Sequence, residues 1–221
     1  MNIKYILWDH DGVLVDTEKW YFKANNIALN EIGIELLEND YMYYMQNGIS
    51  VWNIPKEKGI SEEIIKTQKE KRNKIYQTFL EIENIEIPNV VNVLSDLMRN
   101  YKMAIITTSK KEDFELIHRH RHRHRKILDY MEFYLTKGDY ERSKPHPDPY
   151  LSGMNKFNAK PSECIIIEDS ARGLKSAIAA GIDCIIIKND FTVSHDFNGA
   201  KCIINKIEEL PKTLIRINNR K

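Results

Sequence analysis

IKYILWDHDGVLVDTE, residues 3 to 18, decides the fold. Its first half, with Ile3, Tyr5, Ile6, Leu7 and Trp8, has almost no polar alternation and reads as a strand buried on both faces. Where the strand ends come Asp9 and Asp11, spaced by one residue, and Gly12 then lets the chain turn sharply away. In open α/β sheets the carboxyl ends of the strands are where ligands bind. Two carboxylates brought together there repel unless one is protonated or a cation lies between them. Read without context, Asp-x-Asp-Gly is also a common turn held by Asx hydrogen bonds.

Five further apolar runs follow: KMAIITT (102–108), MEFYLT (131–136), CIIIED (164–169), DCIIIK (183–188) and a weaker KCII (201–204). The spacing between them suits crossover helices, expected over roughly 89–99, 111–127, 147–157 and 171–180, the last closed by Gly181. The gap between the first run and the second is too long for one crossover. It shows helical periodicity instead: a helix from Glu18 to Ile32 with Trp20, Ala24, Ile27, Ala28 and Ile32 near one face, a second over 36–46, and a third from the N-cap Ser61 to about Leu80. The expected architecture is an α/β core of residues 1–16 and 88–221 around a parallel sheet, with an inserted helical cap of residues 17–87.

The chain has 221 residues and a formal charge of +1, from 33 Lys and Arg against 32 Asp and Glu. Without the four arginines of HRHRHRHR (118–125) the count is 29 against 32, so one octapeptide sets the sign. Such a balance argues against a general nucleic-acid partner. No run approaches the length of a membrane span. Cys164, Cys184 and Cys202 lie in apolar contexts without metal-ligand spacing and read as buried thiols of a reducing compartment. The first residues carry no signal-peptide pattern, because acidic residues interrupt the short apolar stretch. A cytoplasmic monomer is expected.

A second acidic pair, Glu168 and Asp169, ends the run CIIIED, so two predicted strand ends together carry four acids. An oxygen-rich cluster of this kind suits Mg²⁺. Taken singly, Glu168 and Asp169 also read as caps of the next helix, Thr107 as a strand residue and Lys144 as a solvated loop lysine.

Four motifs in chain order resemble the haloacid dehalogenase-like superfamily of phosphohydrolases. They are DHDGVLVDTE, the Thr107 that ends MAIIT, the Lys144 of SKPHPDPY, and the acidic pair in IIIEDSARGLKSAIAAG. The resemblance implies a Rossmann-like core with an inserted helical cap. It also implies that Asp9 is the nucleophile and becomes an aspartyl-phosphate, and that Asp11 is first general acid and then general base. By the same resemblance Thr107 and Thr108 hold phosphoryl oxygens, and Lys144 neutralises charge on the nucleophile and the transferring group. Mg²⁺ would lie on Asp9, the Asp11 carbonyl and Asp169, with Glu168 adjacent.

Asp11 separates subgroups, because carbon–halogen cleavage needs no proton donor for its leaving group. Its presence points to a phosphatase acting on a small phosphorylated metabolite such as a sugar, polyol or nucleoside phosphate. β-Phosphoglucomutase relatives carry a cap histidine where this chain has Tyr21, and a cap arginine where GISVW places Val51. A phosphomutase is therefore the second reading, and a catalytically silent binding module the third. The cap is expected to line the substrate with Tyr21, Asn25, Asn47 and Trp52. His10, at a position apolar in most relatives, is given no role. The octapeptide is read as a solvated helical strip, with its histidines at i,i+4 able to pick up Zn²⁺ or Ni²⁺ adventitiously.

Overall fold

A computed structural model of the protein describes residues 2–119 and 127–219. The chain divides into two compact units, Thr17–Ile85 and a unit made of Met1–Asp16 with Glu86–Lys221.

The first is all helical: α1 (Glu18–Asn30), α2 (Glu38–Gln46), α3 (Asn53–Glu57) and α4 (Glu62–Ile82). Ser61 caps α4, its hydroxyl accepting from the Ile64 N–H at 3.4 Å. Helices α1 and α4 pack along each other. They bury Ala24, Ala28 and Leu29 from α1, and Ile65, Tyr76 and Leu80 from α4. The apolar face of α1 thus lies slightly round from the expected stripe: Leu29 is inside, and Ile27 is 41% exposed. Helix α3 was not anticipated, since five residues with a proline show no period.

The second unit is built on a six-stranded sheet: β1 (Tyr5–Trp8), β2 (Lys102–Lys110), β3 (Phe133–Lys137), β4 (Cys164–Glu168), β5 (Cys184–Ile187) and β6 (Cys202–Ile204). All neighbours are parallel, in the order β3-β2-β1-β4-β5-β6. Each strand coincides with one of the apolar runs. The two-residue period of a strand explains why such runs are uninterrupted. Ile6, Trp8, Ile105, Ile165 and Ile167 face one core, while Leu7, Ala104, Ile106, Ile166 and Ile186 face another. Helices α5 (Val90–Leu97), α6 (Lys111–Arg119) and α9 (Leu210–Asn219) cover the first core through Leu94, Phe114 and Leu214. Helices α7 (Asp148–Lys156) and α8 (Ala171–Ala179) cover the second through Tyr150 and Leu174. The unit is a Rossmann-type α/β fold, and the winding reverses between β1 and β4, which is where this architecture opens a crevice.

Three expectations need correction. Of the helix expected over 111–127, Lys111–Arg119 are helical, residues 120–126 lie outside the described residues, and position 127 opens a 3-10 turn, Ile127–Tyr130. Helix α9, with Leu210, Leu214 and Ile217 buried at helical spacing, was missed. Cys202 is only half-buried, unlike Cys164 and Cys184. Among the described residues no helix is long and apolar enough to cross a membrane.

Candidate active site

The residues singled out in the sequence meet at the switch point. Asp9 follows β1 directly, and its N–H donates to the Ile167 carbonyl of β4 at 2.9 Å. The chain then closes into a tight turn, with the Gly12 N–H on the Val15 carbonyl and the Leu14 N–H on the His10 carbonyl, both at 2.8 Å. Gly12 is required here. Its φ is +78°, and a Cβ would stand 2.2 Å from Oδ2 of Asp169. The backbone therefore passes as close to the second acidic pair as a chain without side chain allows.

Lys144 ties the two strand ends together. Its Nζ donates to Oδ1 of Asp9 at 2.7 Å and to Oε1 of Glu168 at 2.8 Å. The ammonium also lies 4.6 Å from the ring centre of Tyr150. The loop that carries it is pinned at both sides, by the Arg142–Asp148 ion pair at 2.9 Å and by the Ser176 hydroxyl on the His146 carbonyl at 2.6 Å. Burial works against the lysine's charge, but the carboxylates of Asp9 and Glu168 outweigh it and raise its pKa.

Glu168 is wholly buried. Besides Lys144, its Oε1 accepts from the Tyr150 hydroxyl at 2.8 Å. Its Oε2 accepts from the Asp169 and Ser170 N–H groups and from the Ser170 hydroxyl, at 3.0 to 3.2 Å. Burial would raise this carboxyl, yet Lys144 and the hydrogen bonds hold its pKa below the ordinary value. Asp9 goes the other way: burial and the neighbouring Glu168 charge push it up to about 6, against the pull of Lys144.

Asp169 accepts from Nδ2 of Asn189 at 2.7 Å. Asn189 is itself fixed, because its Oδ1 accepts from the Phe191 and Thr192 N–H groups and from the Thr192 hydroxyl. Asp9, Glu168 and Asp169 each offer an oxygen within 4.8 Å of the others. This hard, oxygen-only set, with the glycine backbone pressed against it, fits Mg²⁺ and offers nothing to a thiophilic metal.

On the other side of β1, Thr107 is buried, not at the end of its strand as expected but three residues before it, where the pairing of β2 with β3 shifts register, and its hydroxyl lies 3.3 Å from Oδ2 of Asp11. Ser109 donates to the same oxygen at 2.5 Å. Thr108 is held by Nη2 of Arg172 at 3.2 Å. Asp9, Lys144, Glu168 and Asp169 thus form one linked set, Asp11 and Thr107 a second whose charge Asp9 feels, and Thr108 stands on Arg172. Sequence reasoning missed Ser109, Tyr150, Arg172 and Asn189. Tyr150 and Arg172 lie within motifs already singled out, and Ser109 directly follows the run KMAIITT. Asn189 follows the run DCIIIK, where a polar residue at a strand end was the available signal.

The helical unit treats its four candidates differently. Asn25 is wholly buried and Trp52 nearly so, and they bond to each other, Trp52 Nε1 donating to Asn25 Oδ1 at 2.9 Å. That bond uses the one N–H of the Trp52 ring, and Asn25 Nδ2 donates to the Tyr21 carbonyl at 2.8 Å. Tyr21 lies under the guanidinium of Arg72, 4.6 Å from its ring centre. Arg72 also donates to Asn25 Oδ1 at 2.9 Å. Asn47 stands apart, exposed at the end of α2, with Nδ2 on the Tyr43 carbonyl. Arg72, half-buried on this polar and aromatic support, escaped notice because it sits in the charge-rich run KEKRNK.

A parallel sheet with acids at its switch point and a buried lysine joining them is an arrangement suited to an α/β hydrolase acting on an anionic group. Comparison with known proteins agrees. Residues 6–187 match the family model described as haloacid dehalogenase-like hydrolase. A phosphorylated carbohydrates phosphatase of Thermotoga maritima is 28% identical over 207 residues, 90% of this chain and 89% of that protein. A CBBY-like protein of Arabidopsis thaliana is 27% identical over 94% of this chain and 70% of its own length. Among solved structures, a predicted phosphoglycolate phosphatase of Haemophilus somnus superposes with a TM-score of 0.83 at 21% identity, covering 97% of this chain and 99% of that one. CbbY of Rhodobacter sphaeroides in complex with phosphate gives 0.78 at 20%, covering 94% and 96%. The chain belongs to the haloacid dehalogenase-like hydrolases.

Proposed function

We propose that the protein is a Mg²⁺-dependent phosphatase that hydrolyses a small phosphorylated metabolite of the sugar, polyol or nucleoside phosphate class. The carrying observation is Lys144 shared between Asp9 and Glu168 beside Asp169, at the switch point of the sheet. It supplies a carboxylate that can attack phosphorus and cationic support beside it. A Mg²⁺ ion held by Asp9, Asp169 and the Asp11 carbonyl, with Glu168 adjacent, would offset the repulsion between a carboxylate and a phosphate dianion.

Asp9 attacks phosphorus as the ester P–O bond breaks, and the proton of Asp11 passes to the leaving oxygen. Asp11 then takes a proton from water as that water attacks phosphorus, and the bond to Asp9 breaks. Lys144 keeps Asp9 ionised and aimed, while Thr107 and Thr108 hold phosphoryl oxygens.

The sugar-type substrate is supported by the named activity of the Thermotoga relative and by a CbbY structure bound to xylulose 1,5-bisphosphate. In the helical unit, Val51 is buried and apolar.

The test is phosphate release from p-nitrophenyl phosphate and a panel of sugar, polyol and nucleoside phosphates, with Mg²⁺ or chelator, for wild type and Asp9→Asn. Mg²⁺-dependent release that disappears in the variant is expected. No release from any substrate would overturn the proposal, and conversion of a β-hexose 1-phosphate to its 6-phosphate would replace it with a mutase.

A further inference from the structure

The first histidine of the alternating run is not a surface side chain. His118, in the last turn of α6, is 9% exposed, and its Nε2 lies 3.0 Å from Nε2 of His10. The expectation of a solvated strip fails at this residue because α6 packs that face onto the sheet; residues 120–125 of the run lie outside the described residues. His10 is wholly buried. Both imidazoles rest against Phe114, with ring centres 4.8 and 4.5 Å away, and Phe114 rests on Tyr134 at 4.7 Å. His10 therefore faces away from the acidic cluster through one nitrogen only.

Its other nitrogen, Nδ1, is buried, makes no hydrogen bond, and lies 3.5 Å from Oδ2 of Asp11. Two Nε2 atoms 3.0 Å apart require one donor and one acceptor. If His10 donates, neutral His10 turns a bare lone pair on the Asp11 carboxylate, and two acceptors face each other in a buried place. If His118 donates, His10 accepts at Nε2 and carries its proton on Nδ1, aimed at Asp11.

We infer that His118 and His10 form a positioning chain for Asp11: His118 Nε2–H donates to His10 Nε2, and this fixes the tautomer whose Nδ1–H faces Oδ2 of Asp11. The chain adds a third donor beside the oxygen already approached by Ser109 at 2.5 Å and Thr107 at 3.3 Å. It holds the side chain on the edge of the turn by contacts from β2 and α6 as well as from its own loop. No proton moves along it. The link between the two imidazoles stands on geometry alone, whereas its catalytic consequence rests on the phosphatase reading.

Two measurements separate these levels. Long-range ¹⁵N–¹H correlation of the labelled full chain at neutral pH is expected to show neutral His10 protonated at Nδ1. A His10 protonated at Nε2 would overturn the chain. For catalysis, alkyl leaving groups need the proton of Asp11 far more than p-nitrophenolate does. His118→Leu is expected to lose about tenfold more kcat on an alkyl phosphate than on p-nitrophenyl phosphate, with KM retained. His118→Gln, whose amide N–H replaces the lost donor, is expected to recover most of that loss. Equal losses on both substrates, or none, would show a merely structural histidine. If the wild type releases no phosphate at all, the phosphatase reading fails and the tautomer spectrum alone decides the chain.

Discussion

Lys144 Nζ stands 2.7 Å from Asp9 and 2.8 Å from Glu168, so a single buried ammonium neutralises the ends of two adjacent strands. Removing one partner of a buried ion pair leaves the other charge uncompensated, which costs about 3 to 5 kcal/mol. Lys144→Ala is expected to lose stability in that range by urea unfolding, in addition to losing activity. A change below about 1 kcal/mol, the usual worth of an exposed pair, would mean that water reaches Glu168.

Gly173 sits in the first turn of α8, where a Cβ would fall 1.7 Å from Oε1 of Glu168. Neither the helix backbone nor the five-times-bonded carboxylate can move away cheaply. Gly173→Ala should therefore cost about 1 to 3 kcal/mol or more, despite the better helix propensity of alanine. Gly59, with open space around it, is the control, since alanine there meets only the strain of a positive φ.

Asn189 holds Asp169 through one hydrogen bond of 2.7 Å. Partners that orient a metal ligand contribute roughly 10- to 100-fold to metal affinity. Asn189→Ala is expected to weaken Mg²⁺ binding by that factor in calorimetric titration, with the folded state retained. Unchanged affinity would place Asp169 outside the metal site.

Asp9, pushed up to about 6 by burial and Glu168, gives a pH dependence of known sign. Mg²⁺ favours the ionised carboxylate, so proton and metal compete. Apparent Mg²⁺ affinity should be nearly flat above pH 6 and fall as pH drops through about 6, approaching tenfold per unit. Affinity that stays flat down to about pH 4, the ordinary aspartate range, would show that burial and Glu168 do not raise Asp9.

The sheet was legible because strands buried on both faces read as uninterrupted apolar runs, as CIII at 164–167 and at 184–187 do. The acids were legible because they end those runs. What escaped were long-range hydrogen bonds that leave no local pattern. Asn189 reaches Asp169 across β4 and β5, Tyr150 reaches Glu168 from a helix 18 residues earlier, and His118 meets His10 from 108 residues away. The octapeptide misled for a related reason. Its alternating charge reads as solvent-facing throughout, but the period of α6 turns His118 inward beside Phe114 and Ile117. In the helical unit, polarity alone suggested contact residues, whereas Asn25 and Trp52 satisfy each other internally.

The most direct measurement is to trap the covalent state of Asp9. Protein quenched during turnover of its best phosphate ester with Mg²⁺ would be treated with borohydride, which reduces an acyl phosphate to an alcohol. Peptide mass analysis then reads the side chain at position 9. The account predicts homoserine at position 9, dependent on substrate and on Mg²⁺. Turnover with Asp9 recovered unchanged, or with the modification on another residue, would contradict it.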